Sequence, residues 1–269
     1  MKITAQTKIC MVIGDPVGHS LSPKMHNAGY EALGIDDQFV YIACLVKVKD
    51  IENFVKGVRA MKIRGVSCTI PHKMAVIPYL DDIDEVAKKI GSVNTIVNDN
   101  GRLIGYNTDW LGILTPLEKI TKLNGKTVAI IGAGGAARAV SYAVTSTGAK
   151  LTIYNRTIEK AKELAKEFGG VTFSLDELEN IANADIIINT TSVGLINKNE
   201  TILSKKLISK NQIIFDAVYG GETQLLKDAK EKGAQTIAGI EMLLHQGVEQ
   251  FKLYTGHAAP IDVMRKVLL

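Results

Sequence analysis

Short apolar runs bounded by glycine, proline and polar clusters alternate along this chain with stretches whose apolar residues recur at helical spacing. Residues 8–14 read as a buried strand. Ser22-Pro23 opens a helix reaching about Leu33, with proline at its first position. Residues 39–44 and 65–70 are strand-like, 48–61 is helix-like, and Pro71 starts a further helix. Residues 93–97 and 102–106 form a hairpin across Asn100-Gly101, a pair suited to the left-handed backbone of a tight turn. After Asp109 a helical stretch leads to Asn124-Gly125. Strands then recur at 127–131, 150–154, 171–173, 185–189, 212–216 and 234–237 between helices or loops, which predicts a second, parallel sheet. From about Ile240 the pattern is helical with no further strand, so this segment is expected to return to the first domain. The fold class is α/β in two domains: an α/β domain over residues 1–110, completed by 240–269, and a Rossmann-type domain with a parallel sheet over 111–239.

The strand Val128-Ala-Ile-Ile131 runs into Gly132-Ala133-Gly134-Gly135-Ala136-Ala137 and then a helix. Gly132 permits the tight turn, Gly134 lets a pyrophosphate approach the backbone, and Ala137 allows close helix packing. The N–H groups at the helix start face the phosphates. A second strand ends about 20 residues on, at Asn155-Arg156-Thr157, where a site preferring NAD would carry Asp or Glu. Arg156 suits a ribose 2′-phosphate through charge-assisted bonds, and Asn155 and Thr157 can donate as well, so the cofactor expected is NADP. Solvation of a strand end by Arg156 is the alternative.

The chain has 269 residues, 46% hydrophobic and 22% charged, as in ordinary globular proteins. Its net charge of +4 comes from 32 basic and 28 acidic residues without a basic arm, which suits anionic small molecules and gives no footprint for nucleic acid. Cys10, Cys44 and Cys68 lack C-x-x-C spacing, so they read as reduced thiols. No apolar block suggests a signal peptide or membrane span, and a cytoplasmic protein, monomer or homodimer, is expected.

Polar residues cluster at strand ends of the first domain, where open α/β sheets place ligands. Ser20 and Ser22, at a helix start, can hold a carboxylate, although Ser22 also suits a cap. Ser67-Cys-Thr69-Ile-Pro-His-Lys73 delivers Thr69 and Lys73 to a sheet edge. A lysine in a first helical turn sits against the dipole, which would lower its pKa in a partly dry site and make it an acid/base candidate; an ordinary surface lysine is the other reading. Asn94 and Asp109 flank the hairpin, and Asp109 either caps the next helix or orients that lysine. Tyr219 and Gln246 are by position packing residues or site residues. The five histidines form no metal-ligand spacing, with His19 and His26 stabilising their loop and helix, and no G-x-S-x-G occurs.

Together, His19-Ser-Leu-Ser-Pro23 with His26-Asn27, Thr69-Ile-Pro-His-Lys73, Val93-Asn94-Thr95, Gly105-Tyr-Asn-Thr-Asp109, the glycine turn, Asn155-Arg-Thr157, Asp216-Ala-Val-Tyr219 and His245-Gln246 resemble the shikimate dehydrogenase family over essentially the whole chain. The resemblance implies an N-terminal substrate domain completed by C-terminal helices, an NADP-binding domain between, and reversible reduction of 3-dehydroshikimate to shikimate. It implies Ser20 and Ser22 as carboxylate ligands, Thr69, Asn94, Asp109 and Gln246 as ring-hydroxyl ligands, Tyr219 closing the site, and Lys73 with Asp109 as the catalytic pair. Gly132 to Ala136, Asn155 to Thr157, Thr190-Thr191-Ser192, Val218, Gly239 and Met242 would line the cofactor. Ser67-Cys68 stands where the family often has Asn-Val, and Trp110 where it often has Gly, which bears on substrate preference. A broad quinate/shikimate dehydrogenase is the nearest alternative. A nonenzymatic NADP-responsive protein is a second, against which the retention of Lys73 and Asp109 speaks.

Overall fold

The structure is a computed structural model and describes residues 2–269. The chain forms two compact units, Met1–Thr108 with Gln246–Leu269, here the outer unit, and Asp109–His245, the central unit. The first junction lies two residues before the expected position, because Ile113 and Leu117 of the helix opening at Asp109 pack in the central core. The second lies inside a helix rather than ahead of it: Met242 belongs to the central core, whereas Gln246 falls in the outer unit.

In the outer unit the chain runs β1 (Lys8–Gly14), α1 (Ser22–Ala32), β2 (Phe39–Leu45), α2 (Ile51–Ala60), β3 (Gly65–Cys68), α3 (His72–Ala75), β4 (Asp82–Ile83), α4 (Glu85–Ile90), β5 (Thr95–Asp99) and β6 (Arg102–Tyr106). The sheet order is β2-β1-β3-β5-β6-β4, with β2, β1 and β3 parallel and β5 antiparallel to both its neighbours. The hairpin forms as expected, with Asp99 opposite Arg102 and positive φ at Asn100 and Gly101. The two-residue strand β4 and the mixed direction of this sheet have no counterpart in the apolar pattern, since four-residue β3 followed by a short helix reads alike in either sheet type. Strand β2 lies at the sheet edge, where Asn27 of α1 bonds both the N–H and the C=O of Tyr41 at 2.8 Å and replaces a missing strand partner.

The central unit begins with α5 (Asp109–Glu118) and continues β7 (Thr127–Ile131), α6 (Gly135–Ser146), β8 (Lys150–Asn155), α7 (Ile158–Phe168), β9 (Val171–Ser174), β10 (Ile186–Asn189), β11 (Ile213–Asp216), α8 (Gln224–Glu231) and β12 (Gln235–Ala238). All six strands are parallel, in the order β12-β11-β10-β7-β8-β9, the doubly wound order of a Rossmann domain. Two apolar clusters cover its faces, one with Val128, Ile130 and Phe215, the other with Ala129, Ile131 and Ile214; successive β7 residues point to opposite sides. Helix α9 (Gly239–Thr255) starts in this unit and ends in the outer one, followed by α10 (Ile261–Lys266).

His26 of α1 lies fully buried in an aromatic group, stacked on Tyr41 with ring centroids 4.3 Å apart and beside Tyr30, Phe251 and Tyr254. Burial pushes its imidazole down from 6.5 to about 3. From pH 6.5 toward 3 the unfolded chain therefore binds a proton that the folded chain refuses, and stability falls with falling pH. This group contributes a slope on the order of 1 kcal/mol per pH unit in that window. Urea unfolding of His26→Phe is expected to show a shallower pH dependence than the parent chain there; parallel curves would contradict the assignment.

Candidate active site

The order of the outer sheet reverses at β1, so the loops after β1 and β3 diverge from neighbouring strands at one edge. The two loops are tied together: Thr69 N–H donates to Ile13 O at 3.0 Å and Asp15 N–H to Ile70 O at 3.0 Å. A Cβ on Gly14 would lie 2.6 Å from Thr69 Cγ2, so the approach needs a glycine. Ser20 and Thr69, both half-buried, are thus carried at this edge. Ser20 Oγ accepts the Ser22 N–H at 3.3 Å, which leaves the Ser20 hydroxyl proton to donate elsewhere. No side chain caps α1, and Ser22 is its buried first residue, so the capping role open to Ser22 in the sequence is not used.

The antiparallel register of β5 and β6 brings the remaining candidates to the same edge. Ser67 pairs with Thr95 and Thr95 with Tyr106, so the start of β5 and the end of β6 both lie beside the end of β3. Cys68 N–H donates to Asn94 O at 2.7 Å and Asn94 N–H to Tyr106 O at 3.0 Å. The Asn94 side chain, 2% exposed, accepts the Thr108 N–H at 2.8 Å through Oδ1, and its Nδ2 reaches Gln246 Oε1 at 3.4 Å. Asn107 ties this edge to Ser92 through two bonds of 2.9 Å.

Lys73 is half-buried, with its carbonyl accepting Val93 N–H at 2.8 Å, while fully buried His72 holds Val46 O at 2.7 Å through Nε2. His72 therefore anchors the backbone that carries the lysine. The helix expected after Pro71 is a single turn of four residues, which has little macrodipole, so the dipole argument for Lys73 loses its basis. Thr69, Lys73, Asn94 and Gln246 are brought together in the outer unit. Asp109, buried, follows Thr108 directly and opens α5 in the central unit, which also holds half-buried Tyr219.

In the central unit the sheet order reverses between β7 and β10. Gly132, with φ +114°, turns the chain out of β7; a Cβ there would lie 2.6 Å from Thr190 Oγ1, itself bonded to Ile131 O at 2.9 Å. Gly134 precedes α6 at φ −94°, with no atom within 4 Å of an added Cβ. Its side of the turn is open space before the helix N–H groups, while Ala133 and Ala136 lean on the core. Arg138, next along α6, is committed to a two-pronged pair with Glu167 over the Phe168 ring. At the end of β8, Arg156 and Thr157 are exposed. Asn155 Nδ2 donates to Thr157 O at 2.7 Å, so part of its donor capacity shapes the loop instead of facing a ligand.

Three residues outside the candidate set hold the other loops of this edge. Buried Asn189, the last residue of β10, donates to Asp216 Oδ1 at 2.9 Å and accepts from Thr191 N–H and Oγ1 at 3.0 and 2.7 Å. Asp216 also accepts Val218 N–H at 3.1 Å and Thr223 Oγ1–H at 2.5 Å. Burial pushes the Asp216 carboxyl up, opposed by these donors. The network sets the backbone of Thr190-Thr191-Ser192 and Val218, and only a polar residue at the end of an apolar strand hints at it in sequence. Gly239 is required by packing, because a Cβ would sit 2.4 Å from Val218 O. Met242 is a core residue of this unit, and His245 lies 3.1 Å from Lys119 Nζ and 3.5 Å from Glu241.

Family models for the shikimate dehydrogenase substrate binding domain, shikimate / quinate 5-dehydrogenase and the shikimate 5′-dehydrogenase C-terminal domain match residues 12–96, 116–218 and 239–269. A shikimate dehydrogenase (NADP(+)) of Pyrococcus furiosus is 45% identical, with 99% of this chain and 97% of that protein covered. The shikimate dehydrogenase structure from Aquifex aeolicus aligns with a TM-score of 0.92 at 41% identity, covering 98% of both chains. Shikimate 5-dehydrogenase of Thermus thermophilus, solved in complex with NADP(H) and shikimate, aligns with a TM-score of 0.90 at 36% identity, covering 97% of this chain and 98% of that one. With two strand-order reversals, the glycine turn and the edge of polar residues in place, the chain belongs to the shikimate dehydrogenase family.

Proposed function

We propose that this chain catalyses the reversible NADP-dependent reduction of 3-dehydroshikimate to shikimate, a step of aromatic amino acid (chorismate) biosynthesis. The observation that carries the reading is that the end of β3 before Thr69, the start of β5 and the end of β6 meet at one edge, where Lys73 O accepts Val93 N–H, Asn94 Nδ2 reaches Gln246 Oε1, and the chain runs directly into Asp109. No helix among the described residues is long and apolar enough to cross a membrane. The reading carries a cytoplasmic monomer or homodimer acting on small molecules, without nucleic-acid or membrane partners.

The residues fit a dinucleotide. The open face of Gly134 and the start of α6 accept a pyrophosphate, with Gly132 to Ala136 as its backbone cradle. Exposed Arg156 with Asn155 and Thr157 would hold the 2′-phosphate, and Thr190, Thr191, Ser192, Val218, Gly239 and Met242 the nicotinamide side. When bound, the reduced nicotinamide supplies the hydride for the 3-keto carbon, and the oxidised form takes it back in the reverse direction.

Ser20 and Ser22 bind the substrate carboxylate, with the Ser20 hydroxyl already placed as a donor by the N–H it accepts. Thr69, Asn94, Asp109 and Gln246 bind ring hydroxyls, and Tyr219 closes over them. Protonated Lys73 delivers a proton from Nζ to the ketone oxygen as it becomes an alcohol; in oxidation neutral Lys73 takes that proton back. Asp109 holds the lysine in orientation.

Lys73→Ala is expected to lower kcat by at least ~100-fold with a small change in the shikimate KM, because the proton is needed in the transition state. An unchanged kcat removes the lysine from the mechanism. Arg156→Ala should weaken NADPH by about tenfold and leave NADH within about twofold, as loss of a charge-assisted phosphate contact requires. Equal losses for both cofactors remove the 2′-phosphate role. Gly134→Ala should fold with only a small drop in thermal midpoint, from the weaker N-cap of α6, and bind NADP+ about tenfold more weakly, since the added methyl meets no protein atom within 4 Å and would crowd the pyrophosphate. Undiminished binding contradicts the close backbone approach.

A further inference from the structure

Beneath the substrate edge of the outer unit runs a buried chain of hydrogen bonds that leaves the aromatic group and ends on Asn94. Ser67 Oγ donates to Gln250 Oε1 at 2.9 Å. Gln250 Nε2 donates to Thr95 Oγ1 at 2.9 Å and to Asn94 O at 3.3 Å. Thr95 Oγ1 donates to Asn94 Oδ1 at 2.7 Å. Gln250 is 1% exposed and Thr95 fully buried, so water does not substitute for a missing partner.

Counting protons gives this chain a direction. A main-chain carbonyl only accepts, so the end of the Gln250 amide facing Asn94 O is its nitrogen, and its oxygen faces Ser67. The single proton of Ser67 goes to Gln250, so the hydroxyls of Tyr41, at 2.6 Å, and Tyr254, at 2.9 Å, both donate into Ser67. Thr95 accepts from Gln250, and its one proton goes to Asn94 Oδ1. The same oxygen accepts Thr108 N–H at 2.8 Å, a group that cannot accept. Protein donors thus fill the carbonyl end of Asn94, and its Nδ2 is the donating end of the amide. Nδ2 donates to Thr108 Oγ1 at 3.0 Å and to Gln246 Oε1 at 3.4 Å, the second bond being the longer and weaker.

We infer that Gln250 and Thr95 are positioning residues that make Asn94 a dedicated donor, so that the ligand group bound there is an oxygen accepting a hydrogen bond, a hydroxyl or ketone rather than an amine. The inference rests on the reading of Asn94 as a substrate ligand. Neither residue touches the substrate; both act through the Asn94 amide. Removing the Thr95 hydroxyl takes from Asn94 Oδ1 its 2.7 Å donor, beside Thr108 N–H at 2.8 Å and Thr108 Oγ1 at 3.3 Å, and weakens the hold on the amide that faces the ligand.

Steady-state kinetics of the full chain with shikimate and NADP+ test this. Thr95→Val keeps the shape and removes the hydroxyl; it should raise the shikimate KM about tenfold and leave the NADP+ KM within about twofold. Gln250→Met should do the same. Thr95→Ser, which returns the hydroxyl, should recover most of the lost affinity. On an Asn94→Ala background Thr95→Val should add less than about twofold, because residues acting through one group are not additive. Equal KM values for Thr95→Val and Thr95→Ser, or a full tenfold addition on Asn94→Ala, overturn the inference and leave the substrate site standing. A shikimate KM unchanged by Asn94→Ala alone overturns the reading of Asn94 as a ligand, and this inference with it. If Gln250→Met fails to fold, the Thr95 pair decides.

Discussion

Arg64, at the entry to β3, donates to the carbonyls of Leu253 and Tyr254 at 3.2 and 2.9 Å, and also to Asn98 O at 2.9 Å. These bonds satisfy main-chain acceptors in the last turn of α9 and fix that helix end to the outer sheet. From that end a polar stripe runs back along one face: Tyr254, Gln250 and Gln246 are spaced four apart. Tyr254 and Gln250 bond Ser67, Gln250 bonds Thr95, and Gln246 meets Asn94, so a helix some 150 residues away in sequence supplies the partners of the β3–β5 pair. Removing the Gln250 side chain while α9 stays docked would leave buried Ser67 and Thr95 each one partner short, at a cost of about 1–3 kcal/mol each. The polar edge of the outer unit therefore depends on the return of α9 to its sheet.

Packing enforces the same docking. A Cβ on Gly65 would lie 2.3 Å from the Tyr254 ring, and one on Gly29 would lie 2.7 Å from Phe251. Neither glycine has positive φ; each is a place where an aromatic side chain of α9 presses on backbone. The central unit meets an equivalent need with its own residues, since Asn189, Asp216 and Thr223 fasten the loops after β10 and β11 to one another. In both units the polar groups at the strand ends are held by buried partners, which places them without leaving ligand geometry to mobile loops.

Local chemistry was legible in the amino-acid order, and long-range chemistry was not. The glycine turn, the Asn100-Gly101 hairpin and the six strands of the central unit emerge from period and turn residues, with strand ends within two residues of those observed. Lys73, Asn94 and Gln246 stood out as polar residues at strand ends or in motifs. Gln250 did not: a second glutamine four positions on reads as a solvated helix face until Ser67 and Thr95 are known to lie beneath it. Asp216 was visible only as a strand end, because its partner Asn189 is 27 residues away. Helix α3 is one turn long, with Pro78 in the turn that follows it, so Lys73 meets little dipole, and Ser22 caps nothing because it is the first residue inside α1, with Leu21 at the N-cap.

What the purified chain oxidises decides its activity. Reduction of NADP+ followed by absorbance with shikimate, and again with quinate and with NAD+ in place of NADP+, is the most direct measurement. Rapid turnover with shikimate and NADP+ and slower turnover in the other combinations is the expected result. No turnover with shikimate and either cofactor, from protein that is folded and binds NADP+, would contradict it.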